Sequence, residues 1–264
     1  MTLAESGLNP AIDPALLSRI EDAGLNASAP PQQRWLDGWL VRFSPGKAKR
    51  ARCVNAVAAG RTPIAERLAA CAAVFAEAGL PLIVRITPFT LPGELDAMLN
   101  RDGLRRFDDT RVMVLADLPD VAPAAAPGIA IEPIGLEAFA RLVGGFRGSP
   151  LVQQQAHAER LLSSPVPFQA WELREHHAPI ACGQFAREGD LVGLYDVFTA
   201  PAARGQGLAG LLCRHLLAAA RAQGARHAYL QVEGDNHAAR AVYHRLGFVD
   251  GYAYHYRTRD PSAA

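Results

Sequence analysis

The residues best suited to chemistry lie late in the chain, in Pro201-Ala-Ala-Arg204-Gly-Gln206-Gly207-Leu208-Ala209-Gly210. Glycines at 205, 207 and 210 let the backbone come close to a ligand. The segment runs from a strand pattern into a helix pattern. The first amides of that helix therefore have no intrahelical acceptor and, with the helix dipole, favour a phosphate or pyrophosphate. Arg204 adds a fixed cation on the same approach. No Gly-Lys-Ser/Thr follows, so this is not a Walker loop. Gly205-x-Gly207-x-x-Gly210 has dinucleotide-fold spacing. However, three strand patterns precede it, and no acidic residue closes the next strand at the required place, Glu233 being the nearest.

Other chemistry-bearing residues are less organised. Cys53, Cys71, Cys182 and Cys213 stand far apart among apolar neighbours. They suit small buried hydrophobes and neither a zinc cluster nor a redox pair. All eight histidines fall from His157 onward. His237 and His244 are seven apart on one helix, too few ligands for a metal site, and no metal is expected.

Positioning these residues requires a particular order of elements. In the second half, alternation predicts strands over 129–134, 168–175, 179–187, 191–199, 228–232 and 252–256. Helical spacing predicts helices over 136–143, 153–163 and 237–246, and one from Leu208 that Gly224 closes. Asn236 or Asp235 caps the helix at 237. Mixed strands followed by helix–strand alternation give an α/β or α+β class. The first half repeats that closing order more faintly. It has strands over 51–58, 82–88 and 111–118, and helices over 63–78 and 93–101. Arg61 precedes Arg204 by 143 residues, Gly79 precedes Gly224 by 145, and Gly103 precedes Gly247 by 144. A near-constant offset suggests an internal duplication. The Ala/Pro-rich stretch over 118–128 reads as the linker between the halves.

Two motifs together carry a resemblance. Pro201-x-x-Arg204-Gly-x-Gly207-x-Ala209, followed by Asn236-x-x-Ala-x-x-x-Tyr243-x-x-x-Gly247-Phe248, resembles the GNAT superfamily of acyl-CoA-dependent N-acetyltransferases. The resemblance covers the two signature regions of the second half. It implies a mixed, mostly antiparallel sheet flanked by helices, whose fourth and fifth strands splay into a V that takes acetyl-CoA as cosubstrate. The first half is similar to the partner domain of tandem GNAT proteins, but Arg61-Thr-Pro-Ile-Ala-Glu lacks the glycines. Residues 1–120 are therefore expected to be a degenerate, non-catalytic GNAT-like domain, and residues 129–264 the catalytic one.

The resemblance also implies roles. The backbone of Val197, Phe198 and Thr199 would meet the pantetheine arm, with the Val197 N–H as oxyanion donor. Arg204 and the amides of Gly205, Gln206, Gly207, Leu208, Ala209 and Gly210 would hold the pyrophosphate. Asn236 matches the family asparagine near the pantetheine, and a plain helix cap is its other reading. Tyr243 matches the general acid for the departing thiolate, since a phenol with a pKa near 10 can donate as charge develops on sulfur. A core aromatic is the alternative. Some relatives carry a glutamate base where this chain has Gln231. Glu233, on the same face of an extended strand, is then the first candidate, ahead of His237, Asp196 or a water chain.

Composition bounds the partners. With 27 basic and 26 acidic residues the net charge is +1, half of the chain is apolar, and a fifth is charged. That balance suits neither a polyanion binder nor a disordered chain, so no nucleic acid partner is expected. The run from Lys47 through Lys49 and Arg50 to Arg52 reads as a solvated loop or an internal contact. No apolar run is long enough for a membrane span, and Met1 to Glu5 do not begin a secretory signal, so a cytoplasmic protein is expected. Trp35 and Trp39 are expected in the core of the first half. The resemblance implies an amine acceptor, on a small molecule or peptide, that the sequence does not name, and an oligomer is possible. The rival is a CoA-binding sensor or interaction module that has lost transfer.

Overall fold

A computed structural model describes residues 7–44, 48–120 and 126–263 of the chain. Lys47, Met1 to Glu5 and the middle of the linker lie outside the described residues. The first half contains α1 (Pro14–Ala27), β1 (Gln33–Leu36), β2 (Trp39–Arg42), β3 (Val54–Ala56), α2 (Ile64–Glu77), β4 (Val84–Ile86), α3 (Leu95–Arg101) and β5 (Arg105–Leu115). The second contains β6 (Ile129–Ile134), α4 (Leu136–Phe146), α5 (Leu151–Leu162), β7 (Phe168–Glu175), β8 (Ala178–Glu188), β9 (Leu191–Thr199), α6 (Leu208–Ala222), β10 (His227–Glu233), α7 (His237–Arg245) and β11 (Val249–Thr258). The class is mixed α/β, as the patterning indicates. The two closing series, β3-α2-β4-α3-β5 and β9-α6-β10-α7-β11, have the same order. Gly79 and Gly224 close α2 and α6, and Gly103 and Gly247 follow α3 and α7, all four at positive φ.

All eleven strands join one sheet in the order β1-β2-β3-β4-β11-β5-β10-β9-β8-β7-β6. Only β3–β4 and β9–β10 are parallel. The last strands of the two halves are exchanged. β5, from the first half, pairs with β10 from Ala228↔Leu115 to Glu233↔Thr110. β11, from the second half, pairs with β4 through His255↔Ile86 to Arg257↔Val84 and lies along β5 on its other side. Each half thus completes the other's sheet.

Alternation sorts the side chains onto two faces. On one face, Leu211, Leu212 and Leu216 of α6 pack on Val192, Leu194, Leu230, Val232 and Phe248. On the other, Leu17 and Ile20 of α1 meet Tyr229, Tyr252 and Tyr254, while Phe139, Val143 and Leu161 of α4 and α5 cover Phe168 and Ala170. A buried Glu21–Arg85 ion pair ties α1 to β4, and the Tyr252 hydroxyl donates to Glu21 at 2.6 Å. No described helix is long and apolar enough to cross a membrane.

Three sequence expectations need correction. Trp39 is fully buried beneath the Arg67 guanidinium, but Trp35 is 66% exposed. Their spacing of four is not a helical one, because Asp37-Gly38 turns the chain between β1 and β2 and Trp35 lies on the sheet's outermost strand. Neither that hairpin nor α1 was apparent from apolar spacing. β5 also begins six residues before the strand expected at 111, since its early residues are polar and half exposed.

Candidate active site

The site is built where β9 and β10 separate. Their pairing runs from Leu191↔His227 to Leu194↔Leu230 and then stops, although β9 continues to Thr199 and β10 to Glu233. A bulge lies at the parting point, where the register of β9 on β8 shifts between Cys182 and Gln184 and Asp196 takes a φ of 49°. The bulge bends β9 away. It also places Tyr195 and Asp196 on one face, since Tyr195 bonds Tyr229 while Asp196 bonds Gln184. The β9 edge holding Val197, Phe198 and Thr199 has no strand on its β10 side. This is the splayed V expected for the second half.

The glycine loop stands at its rim. After a 3-10 turn at Pro201–Ala203, Gly205 and Gly207 adopt φ of 79° and 76°, with nothing within 4 Å of where a Cβ would project. That conformation favours glycine. The Leu211 amide is the first to bond back, to the Gly207 carbonyl at 3.0 Å. The amides of Leu208, Ala209 and Gly210 precede it without an intrahelical acceptor. Arg204 donates through Nε to the Thr199 carbonyl at 3.3 Å. Its guanidinium lies over the Phe198 ring at 5.5 Å and that of Arg147 at 5.6 Å. The cradle is open and carries Arg204 beside free helix amides, a donor set whose chemistry suits an anion such as a pyrophosphate.

Tyr243 extends from α7 against the core under α6, its ring edge-on to Phe248 at 6.1 Å. Burial, with the Cys213 thiol nearby, pushes its pKa well above the ordinary phenol value. The hydroxyl therefore stays protonated at neutral pH. Asn236 accepts the Ala239 amide on Oδ1 at 3.1 Å and so caps α7, leaving its Nδ2 without a partner among the described residues. Glu233 ends β10 exposed and without a cation partner among the described residues, on the same face as Gln231. Asp196 differs. Burial works to raise its pKa, but the contact with His157 at 3.3 Å and the charge of Arg147 at 3.0 Å outweigh it. Its carboxyl stays far below the usual carboxylate range and makes a poor base. His237 is exposed at the start of α7. All four cysteines are buried and unbridged. No group of three or more metal-ligating side chains occurs among the described residues.

The structure adds residues that spacing did not single out. Arg50 reaches across from the first half to donate to Gln231 Oε1 at 2.9 Å, and the Tyr254 hydroxyl donates to the same atom at 2.8 Å. Lys49, beside it, pairs with Asp108 at 2.6 Å. Arg50 and Gln231 are 181 residues apart, and no local pattern announces such a pair. Two cavities lie away from this site, one of about 350 Å³ between β3, β4 and α1, the other of about 700 Å³ between α2 and residues Thr258 to Asp260.

Comparison with known proteins agrees with this geometry. Residues 16–258 match the family described as "Probable histone acetyltransferase Rv0428c C-terminal". No curated protein sequence matches. Among solved structures, a GCN5-related N-acetyltransferase from Kribbella flavida aligns with a TM-score of 0.67 at 17% identity, over 94% of this chain and 95% of that one. A tandem GNAT protein from the clavulanic acid biosynthesis pathway aligns at 0.60 and 16% identity, over 75% and 70%. A GCN5-related N-acetyltransferase from Sphaerobacter thermophilus aligns at 0.56 and 16%, over 75% and 68%. Those likenesses are of fold. With the family match spanning nearly all of the described sheet, the chain belongs to the Rv0428c C-terminal family of GNAT acetyltransferases.

Proposed function

We propose that the second-half V binds acetyl-CoA and that the protein transfers its acetyl group directly to an amine. The observation that carries this reading is the parting of β9 from β10 after Leu194 and Leu230, with the open helix N-terminus of α6 at its rim. The amides of Gly205, Gln206, Gly207, Leu208, Ala209 and Gly210, with Arg204, would hold the pyrophosphate. The free β9 edge at Val197, Phe198 and Thr199 would bond the pantetheine arm, and Asn236 Nδ2 would meet it from α7. Bound acetyl-CoA supplies an activated acyl group, so no covalent intermediate on the protein is required. The Val197 N–H would face the acetyl oxygen and stabilise charge there. Tyr243 would protonate the leaving thiolate; its raised pKa keeps the hydroxyl protonated and argues against a basic role. Glu233 would accept the ammonium proton, since Gln231 cannot and Asp196 is held ionised by its partners.

We assign residues 129–264 to the catalytic unit and 1–120 to a degenerate, non-catalytic GNAT-like unit. The first-half loop supports this assignment. Asp37 Oδ2 already accepts the amides of Arg61 and Thr62, both at 2.8 Å, and the Thr62 hydroxyl at 2.7 Å. An internal carboxylate thus occupies the place a phosphate would take, and Pro63 has no amide to offer. Calorimetric titration with acetyl-CoA, paired with CoA release across an amine panel, tests the whole reading. One binding site and turnover are expected. Tight binding without turnover on any amine would favour a sensor module.

A further inference from the structure

On the face of the V opposite α6, two guanidiniums approach from different walls. Arg50 comes from the first half and holds Gln231 on β10 through Nη1 at 2.9 Å. Arg160 comes from α5, three residues and so about one turn after His157, which contacts Asp196 of β9 at 3.3 Å. Both are half-buried. Neither has a carboxylate partner among the described residues. The nearest candidate is Asp196, whose oxygens are committed to Arg147 at 3.0 Å, His157 at 3.3 Å and Gln184 at 2.9 Å. The Arg160 side chain makes no hydrogen bond among the described residues, and the Arg50 side chain uses only Nη1, on Gln231 and Tyr254. Burial pulls the pKa of Arg160 down; the Asp196 charge opposes that, and the neighbouring Arg50 charge adds to it.

Two like charges held half out of water, neither in an ion pair among the described residues, are costly unless something compensates them. Burial works to lower the pKa of Arg50, and Tyr254, Tyr256 and Tyr195 raise it overall, but a hydroxyl is not an anion. Tyr195 and Tyr229 bond each other at 2.9 Å, and the Tyr254 hydroxyl is taken by Gln231. What this arrangement lacks is an anion with several acceptor oxygens, which the guanidinium fork matches in geometry. The pair lies on the same face as Gln231 and Glu233, where an amine would meet the base proposed above.

We propose that Arg50 and Arg160 form the anion clamp of the acceptor site, so that the amine substrate is one carrying a carboxylate or phosphate group. This rests on the acetyl-transfer reading and narrows it to acidic small amines. The bond made is N–acetyl and the bond broken is the thioester, so the clamped anion takes no part in the chemistry. Its role is to hold the acceptor with the amine turned toward the V.

The test measures CoA release with α- and ω-amino acids, their carboxamides, phosphoethanolamine and ethanolamine. Each anionic amine is compared with its neutral counterpart, and the two anion types separate carboxylate from phosphate. The expected ratio of kcat/KM is roughly 10- to 100-fold in favour of an anionic member. Arg160→Gln should shrink that ratio chiefly through the acceptor KM, with Arg160→Lys restoring part of it, while the KM for acetyl-CoA stays the same. Arg50→Gln should shrink the ratio likewise, and a thermal melt checks that it folds. Equal turnover of acids and amides overturns the clamp and leaves acetyl transfer standing. Acetyl-CoA binding with no CoA release for any amine overturns the transfer reading, and this inference with it.

Discussion

Asp37 occupies in the first half the position that the second half keeps open. Its Oδ2 accepts the Thr62 amide at 2.8 Å at the threshold of α2, whereas the amides of Leu208, Ala209 and Gly210 at the start of α6 have no acceptor among the described residues. The two halves share an order of elements but differ at this one contact. Thr62, first through its amide and then its hydroxyl, and the Arg61 amide hold the Asp37 pKa down to about 2. A carboxyl depressed in the folded state adds stability above its ordinary pKa of 3.8, and loses it as the pH falls through about 2. Asp37→Asn should therefore be less stable than the parent by urea unfolding above pH 4, and the gap should close towards pH 2. A constant gap across that window would show that the carboxylate charge is not what the amides hold.

Tyr243→Phe keeps the ring that packs on Phe248 and removes only the hydroxyl. We expect kcat to fall by roughly 10- to 1,000-fold with acetyl-CoA affinity nearly unchanged. Unchanged turnover would reduce Tyr243 to a core aromatic.

Gly207→Glu puts a side chain and a negative charge into the open cradle, at a φ of 76° that side chains rarely adopt. Calorimetry should record at least a roughly 100-fold loss of acetyl-CoA affinity. A melting temperature near that of the parent separates lost binding from lost folding. Retained affinity would place the diphosphate elsewhere.

Glu233→Gln should lower kcat/KM by roughly 100-fold at neutral pH, as expected for a lost general base. The deficit should narrow at alkaline pH, where the amine arrives already deprotonated. A deficit that ignores pH would assign Glu233 to binding rather than to proton transfer.

Residues 126–264 expressed alone would leave β10 without β5, and β11 without both β4 and β5. We expect that fragment to lack a cooperative unfolding transition, and co-expression with residues 1–120 to restore a soluble complex. An independently folded fragment, judged by circular dichroism and gel filtration, would show that the exchanged strands are dispensable.

Much of the second half was legible because its signals are local. β6, β7 and β9 match the alternating patterns residue for residue, and Leu208, Leu211, Leu212 and Leu216 mark α6 by spacing alone. The cradle was legible too, since two glycines at positive φ between a strand and a helix are a short-range device. What stayed hidden depends on distance. The strand exchange changes which edges meet and leaves every strand's own pattern intact. Arg50 read only as part of a basic run, because nothing near it in the chain foretells Gln231. Asn236 illustrates a third case, in which one residue type satisfies two readings and only the observed bond to Ala239 separates the cap from the rest.

The exchange of β5 and β11 also has a bearing on synthesis. The ribosome delivers β4 with one side bare, and the strand destined for that side emerges after every other strand. Until then an extended edge and the apolar face beside it stay exposed, the condition in which nascent chains pair wrongly or recruit chaperones. Leu8 bridges Tyr252, and the Asn9 amide bonds the Gly251 carbonyl at 2.8 Å. The earliest described residues thus wait for nearly the latest.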